Sequence, residues 1–541
     1  MTDELPAGKP EAPAGPGQGI SLASVGRSAA ILAGATAAVQ VLGIVQWLFL
    51  AARVGISADF DALLIGLVLP ATLGSVLTAG VSTALVPAYL EARATRSIGD
   101  ARRLAGTVLT WMTMAGILVF VLLEVLAPIA VVVTGPGLSE AGRDQAAAYL
   151  RFLAPSTIIA AISGILYAVC QAEEQFPTIA WSIFAGAAVA LAMMLVLWDS
   201  LNLWAYAVGT LVGPIVSMVL LLVAAIRRGV APRPHLISRG LGLGAFARHA
   251  FPLTVSSAIL QVNAIFDRAV ASMLAPGAVS ALRYGDTLVR VPTGAISPAW
   301  GAAIYPALVR STHEDGRSRL ASATEQALRY VTAVFVPISA LTLAVAPLAV
   351  AVAYGRGEFT SADLQLTALV VAGFAPLVFT LMLSQTLTGA LNARRSGGVL
   401  LTAGVINVIL NCTLDIVLGL PLGVAGVALS SSVTAVVVAI FKARRLARQE
   451  ESFHLRPLAR HITIAIAASL PCALAFGALS WTGHYPDGAI AGLVTLAAYG
   501  VVGMLVYAVI ASRLGLKEPM ILARLALRRL SPGIRTAPPA A

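Results

Sequence analysis

Charge is what this sequence has least of. Asp, Glu, Lys and Arg together make 11% of its 541 residues, against roughly a quarter in a soluble domain. So few charges cannot cover a water-facing surface, and a soluble globular fold is excluded. Cysteine is scarce too. Cys170, Cys412 and Cys472 lie far apart in apolar runs. That excludes a disulfide framework, a thiol pair and a cysteine-based metal site, so the three read as small buried hydrophobes. His235, His249, His313, His454, His461 and His484 lie in loops or at the ends of apolar runs, with no partner at ligand spacing. No nucleophile elbow, phosphate-binding glycine loop or zinc motif is present. An enzyme is not expected, nor is an ATP-driven mechanism within the chain.

What is abundant is apolar sequence. Hydrophobic residues make up 58% and the mean hydropathy is +0.88. Run after run reaches the roughly 20 residues that cross a hydrocarbon core. The pattern predicts an all-α polytopic membrane protein with about fourteen transmembrane helices.

An internal echo organises these spans. Ala127-Pro128 returns as Ala346-Pro347, and Leu153-Ala154-Pro155 as Phe374-Ala375-Pro376. Pro70 returns as Pro292, and Ala172-Glu173-Glu174 as Ala393-Arg394-Arg395. One offset of about 220 residues serves all four pairs, which indicates a membrane unit used twice, as in duplicated transporters. The first twelve spans form two six-helix repeats of the same orientation, and the last two have no counterpart. The expected division is a disordered cytoplasmic tail over 1–28, an N-lobe over 29–228 and a cytoplasmic linker over 229–249. A C-lobe over 250–446, two further spans over 447–513 and a basic cytoplasmic tail over 514–541 complete it. Within that tail, Lys517 to Leu530 reads as an amphipathic helix on the membrane surface. The N-terminal stretch has no basic region leading into a short apolar core, so it does not read as a signal peptide.

The formal charge is +11, with 36 Lys and Arg. About 29 of them fall on the side of the N-terminus, which places both termini in the cytoplasm. Topology and anionic lipid explain the basic balance, and no nucleic-acid partner is expected.

Charges inside spans are expensive and need a reason. Arg283, Asp286 and Arg290 are spaced i, i+3, i+7 and share one helix face. This face is either a structural ion-pair surface or the wall of an anion site, and two guanidinium groups suit a diphosphate. A second group combines Asp267, Asn411 and Asp415 with Ser430, Ser431 and Ser432. Its oxygens suit a hard cation or a proton relay. The alternative is that Asp415 marks a span end and Asp267 pairs with Arg268. Glu124 is a lone carboxylate in the third span, and it is either protonated, paired with a neighbouring helix or exposed to the cavity. Gln40 and Gln46 lie in the first span, and such side chains serve as interhelical hydrogen bonds as often as ligand contacts. Glu173 and Glu174 read as solvated.

Several strings carry a resemblance. Val41-Leu42-Gly43, Asp61-Ala62 and Leu69-Pro70 come first, then Thr134-Gly135-Pro136-Gly137. Gly277-Ala278-Val279-Ser280-Ala281-Leu282 follows, with Tyr284-Gly285-Asp286. Tyr354-Gly355-Arg356-Gly357-Glu358-Phe359-Thr360 and Asp363 come next. Asn407, Asn411 and Gly423-Val424-Ala425-Gly426-Val427-Ala428-Leu429 close the series. In order and spacing the chain resembles the MviN/MurJ group of the multidrug/oligosaccharidyl-lipid/polysaccharide (MOP) exporter superfamily, as a divergent member.

The resemblance implies two six-helix lobes around a central cationic cavity and two extra helices forming a lipid-facing groove. It implies a flippase that carries lipid II, or a related polyprenyl-diphosphate-linked envelope saccharide, to the outer leaflet of the bacterial cytoplasmic membrane. Family arginines in the first two spans fall on Gln40, Gln46 and Gly74, and another falls on Thr287. The substrate contacts expected here are therefore Arg283, Asp286, Arg290, Gln40 and Gln46. The family's sodium site falls on Asp267, Asn411, Asp415, Val427 through its carbonyl, and Ser431, with Na+ or H+ as coupling ion and no other cofactor. The implied partners are the lipid-linked oligosaccharide, membrane lipids, and cell-wall synthesis or polysaccharide export proteins. The rival readings are a drug-cation antiporter of the same superfamily and a non-transporting scaffold for cell-wall machinery.

Overall fold

The structure, a computed structural model, describes every residue except 1–21, 237–242, 314–316, 395, 451, 484–487 and 522–541. No strand occurs among the described residues. The first half runs α1 (Leu22–Val54), α2 (Ala58–Thr95), α3 (Ile98–Val125), α4 (Ala127–Thr134), α5 (Glu140–Leu153), α6 (Ser156–Ala172), α7 (Phe176–Leu201) and α8 (Leu203–Arg227). The second half runs α9 (Leu243–Leu274), α10 (Ala278–His313), α11 (Arg317–Ala344), α12 (Ala346–Tyr354), α13 (Ser361–Ala393), α14 (Gly397–Leu422) and α15 (Val424–Gln449). Two more, α16 (Leu455–Trp481) and α17 (Ala489–Arg513), follow.

Thirteen segments are long and apolar enough to cross a membrane, with α5 and α6 counted as one. α10 has 36 residues but is too polar to join them. It carries the Arg283–Asp286–Arg290 face, and with it the crossings reach the expected fourteen. This is an all-α polytopic membrane protein. One boundary differs from expectation: α1 begins at Leu22, so residues 22–28 are helical and not part of a disordered tail. Residues 1–21, part of the linker (237–242) and most of the proposed surface helix (522–530) lie outside the described residues.

The repeat is visible in the backbone. Pro128 and Pro347 each sit in the first turn of a short helix, where a missing N–H costs nothing. The residues before those helices are nearly superposable: Leu126 has φ −93°, ψ 9° and Val345 φ −96°, ψ 12°. The next Ala-Pro step behaves differently in the two halves. Pro155 separates α5 from α6, whereas Pro376 stays inside α13. There α11 braces the backbone, Ser339 donating to the Ala375 carbonyl at 2.7 Å. Close helix pairing rests on small residues. α7 and α8 approach through Gly186 and Gly213, where a Cβ on either would lie 2.7 Å from the other's carbonyl oxygen.

The two halves are tied together where α1 meets α2 and α9 meets α10. This is the side poor in basic residues. Trp47, Phe60, Tyr206, Tyr284, Tyr354 and Phe359 form a run of ring contacts, with centroids from 5.0 to 6.3 Å apart. Glu358 N–H donates to the Ala52 carbonyl at 3.0 Å. Gly357 (φ +65°) lies so close that a Cβ there would overlap that carbonyl. At the opposite side α2 and α9 touch through Gly80 and Thr254, where a Cβ on the glycine would lie 2.8 Å from the Thr254 Cα. The chain after α8 packs on α3, with His235 N–H donating to Thr110 Oγ1 at 3.1 Å.

Candidate functional site

The arginine face and part of the oxygen cluster, namely Asp267, Asn411 and Ser431, line one cavity of about 420 Å³. α9 contributes Gln261, Asn263, Asp267 and Arg268; α10 contributes Arg283, Asp286 and Arg290. Asn407 and Asn411 of α14 and Ser431 of α15 complete the polar lining, and Phe374, Leu377 and Leu381 of α13 form an apolar wall.

On α10 the ion pairs are present, and they leave both guanidinium groups with donors to spare. Asp286 accepts from Arg290 Nε at 2.7 Å and lies 3.5 Å from Arg283 Nη1. One carboxylate thus steers two guanidinium groups, and each keeps further N–H donors for a ligand. The Arg283 guanidinium also lies over the Trp47 ring, 4.7 Å from its centroid, which ties the site to the aromatic run. Thr287, where the resemblance expects an arginine, turns its hydroxyl back to the Arg283 carbonyl at 2.9 Å.

Arg268 is a cavity arginine that the sequence reading did not assign. It does not neutralise Asp267. Its Nη1 donates to the Ala264 carbonyl at 2.6 Å, and no carboxylate among the described residues lies within ion-pair distance of it. Consecutive helix residues point about 100° apart. Asp267 therefore faces α14 while Arg268 faces the arginines of α10.

The oxygen cluster is built by α9, α14 and α15. Asn411 Nδ2 donates to Asp267 Oδ1 at 2.7 Å and to Asp415 Oδ2 at 2.9 Å. Asp415 is fully buried and so does not merely mark a span end. The hydroxyl lying against Asp415 Oδ1 belongs to Ser430, which also lies 2.8 Å from the Val427 carbonyl. Ser431 lines the cavity beside this cluster. Among the described residues no group of three or more His, Cys, Asp or Glu is placed to hold a metal. The donor set is oxygen from carboxylate, amide, hydroxyl and carbonyl groups, which suits a hard monovalent ion.

Gln40 and Gln46 stand apart from this cavity. Gln40 lies beside Gly294 of α10, its Nε2 3.4 Å from where a Cβ would sit, and Gln46 is half-buried on α1. Gly74, another position of a family arginine, lines a separate cavity of about 520 Å³ in the first half. Its polar lining is hydroxyl groups, among them Ser75, Thr78, Ser163, Thr210 and Ser217, with no charged side chain. Gln261 joins the two cavities by donating to Ser75 Oγ.

Two carboxylates have basic partners on neighbouring helices. Glu173 is not simply solvated: it accepts from Arg93 at 2.6 Å and from Tyr89 Oη at 2.9 Å. Glu124 lies 4.0 Å from Arg151. A third, Asp61, joins the halves. Its carboxylate accepts from Gly277 N–H and Ser280 N–H, both at 2.7 Å, and from the Ser280 hydroxyl. An acid on α2 thus caps the start of α10, satisfying donors that a helix terminus leaves open.

The sequence profile of the lipid II flippase MurJ family matches residues 50–497. A probable lipid II flippase MurJ of Thermotoga maritima is 25% identical over 409 residues, covering 75% of this chain and 82% of that one. A solved lipid II flippase MurJ in an inward closed conformation superposes with a TM-score of 0.74 at 18% identity, covering 91% of this chain and 99% of that one. An inward-facing multidrug resistance MATE transporter of the MOP superfamily gives 0.64 at 14% identity, covering 77% and 96%. These two superpositions describe a shared fold.

Proposed function

This chain belongs to the lipid II flippase MurJ family, and from that membership we propose that it moves lipid II from the inner to the outer leaflet by alternating access. One observation carries the reading: the family match spans a chain whose central cavity is walled by Arg268, Arg283 and Arg290. Arg283 and Arg290 hold the diphosphate in bidentate fashion, Asp286 sets their spacing, and Arg268 approaches from α9. Gln40 and Gln46 contact the headgroup as α1 moves against α10. Opening to the outer leaflet requires release of the Asp61 cap and of the Glu358–Ala52 bond, both on the side that the charge asymmetry assigns to the outside.

Asp267, Asn411, Asp415, the Val427 carbonyl and the hydroxyls of Ser430 and Ser431 would hold the coupling ion, Na+ or H+. Asp267 and Arg268 are consecutive on α9, so ion binding and diphosphate binding act on the same helix turn. That supplies the linkage a coupled transporter needs. A drug-cation antiporter is less well supported, because three guanidinium groups line the cavity against two carboxylates and disfavour a cationic ligand. The reading is of a transporter, not an enzyme, in the bacterial cytoplasmic membrane with both termini cytoplasmic. Cell-wall synthesis proteins would supply and consume its substrate.

The test is rescue of a bacterium depleted of its own lipid II flippase, with membrane insertion of this chain confirmed. Growth without lysis is the expected result. Failure with the protein inserted would overturn lipid II as substrate, and silence of every cavity substitution would favour the scaffold.

A further inference from the structure

Lys442 of α15 is a half-buried cation that the cavity described above does not use. Its ammonium donates to Ser384 Oγ at 2.8 Å and Thr388 Oγ1 at 3.0 Å, both on α13. Among the described residues no carboxylate lies within ion-pair distance of it. Two basic residues on the same side have their own partners. Arg394 pairs with Glu450 at 2.6 Å, and the Arg445 guanidinium lies over the Phe441 ring. A lysine that merely marks a membrane surface extends toward water, whereas Lys442 turns inward against α13. A half-buried cation without a carboxylate partner suits an anionic ligand.

Its position says which ligand. Ser431 and Ala435 line the arginine cavity from α15, and Lys442 continues that helix face. Leu377 and Leu381 line it from α13, and Ser384 and Thr388 continue that face in turn. Along α15, Lys442 lies about 16 Å from Ser431 at 1.5 Å per residue, toward the end that carries Arg444, Arg445 and Arg448. An ammonium has three donors, and two are engaged. Thr388 directs its hydroxyl proton to the Ser384 carbonyl at 2.8 Å, which leaves the Ser384 hydroxyl able to donate to the same anion.

We propose that Lys442 and Ser384 form a phosphate-binding contact at the mouth of the cavity on its basic side. There the diphosphate of the polyprenyl-linked substrate is held before it reaches Arg268, Arg283 and Arg290. The contact restores, at another place on the route, cationic charge absent at Gln40, Gln46 and Gly74. It rests on the flippase reading.

The experiment uses the purified full-length chain with undecaprenyl diphosphate as probe, and with phosphatidylglycerol nanodiscs as the bulk-lipid arm. Lys442→Gln should weaken diphosphate binding roughly tenfold, the scale of a lost charge-assisted hydrogen bond. Lys442→Arg should retain it. In a flipping assay Lys442→Gln should raise the half-saturating substrate level and leave the maximal rate unchanged. Ser384→Ala, a milder change, should weaken binding about threefold and serves if Lys442→Gln does not insert. Wild-type binding with unaltered binding by Lys442→Gln, or by Ser384→Ala where that variant stands in, overturns this contact alone. Loss confined to phosphatidylglycerol overturns it in favour of bulk lipid. Absence of diphosphate binding by the wild-type chain overturns both this contact and the flippase reading.

Discussion

At the scale of single residues, the cavity gathers charges from two helices, Asp267 and Arg268 of α9 and Arg283, Asp286 and Arg290 of α10. Replacing both Arg283 and Arg290 by Ala should abolish flipping while leaving expression and insertion intact; normal transport by the double variant would remove the anion wall. Asp61→Asn should weaken the cap on α10 by about 1.5–3 kcal/mol. A cysteine at Val279 in a cysteine-free background should then react at least about tenfold faster with an impermeant thiol reagent added from outside. Unchanged labelling would mean that Asp61 does not hold the outer side shut. Residue type and helical spacing made Asp267, Asn411, Asp415, Arg283, Asp286 and Arg290 legible in the sequence. What they hid was direction. Ser430 and Ser431 are neighbours in a run of serines, and only the packing of α15 on α14 decides which reaches Asp415. Arg268 looked like the partner of Asp267 because the two are adjacent, yet adjacency on a helix separates side chains. Asp61 stands in the first turn of α2, which Ser57 caps, yet its partners lie at the start of a helix more than two hundred residues away.

At the scale of elements, hydropathy located the spans; the repeated Ala-Pro steps open the short helices α4 and α12, which the sequence did not set apart. The same step gave a break at Pro155 and none at Pro376, because the outcome depends on what lies alongside. Contact between α7 and α8 sets a sharper demand. Gly213→Ala places a methyl group 2.7 Å from the Gly186 carbonyl oxygen, and such overpacking costs about 1–3 kcal/mol. Thermal unfolding in detergent should shift down accordingly. Gly397→Ala is the control, since a Cβ there meets nothing within 4 Å.

At the scale of the whole molecule, the duplication was readable but the closure of the side poor in basic residues was not. Closure depends on Trp47, Tyr284 and Phe359 meeting across halves that sequence order keeps apart. The ion cluster offers a global readout. If it binds Na+, the purified wild-type protein should melt at higher temperature in sodium than in potassium at equal ionic strength, by linkage. Asp415→Asn should lose that difference, and an identical melting temperature in both salts would remove sodium as the coupling ion. The extra helices α16 and α17 join the same unit through Ser480, whose hydroxyl accepts from Leu348 N–H at 3.1 Å.

The polarity of α10 has a consequence for biogenesis. Two arginines and an aspartate each oppose partition into lipid by about 2.5–3.5 kcal/mol at mid-membrane, so α10 does not leave the translocon alone. It must wait for α13 to present its apolar flank and for the α9 and α2 surfaces already in place. The residues proposed to hold the diphosphate would therefore also delay assembly, and a chain truncated just after α10 should be recognised by membrane quality control as incomplete.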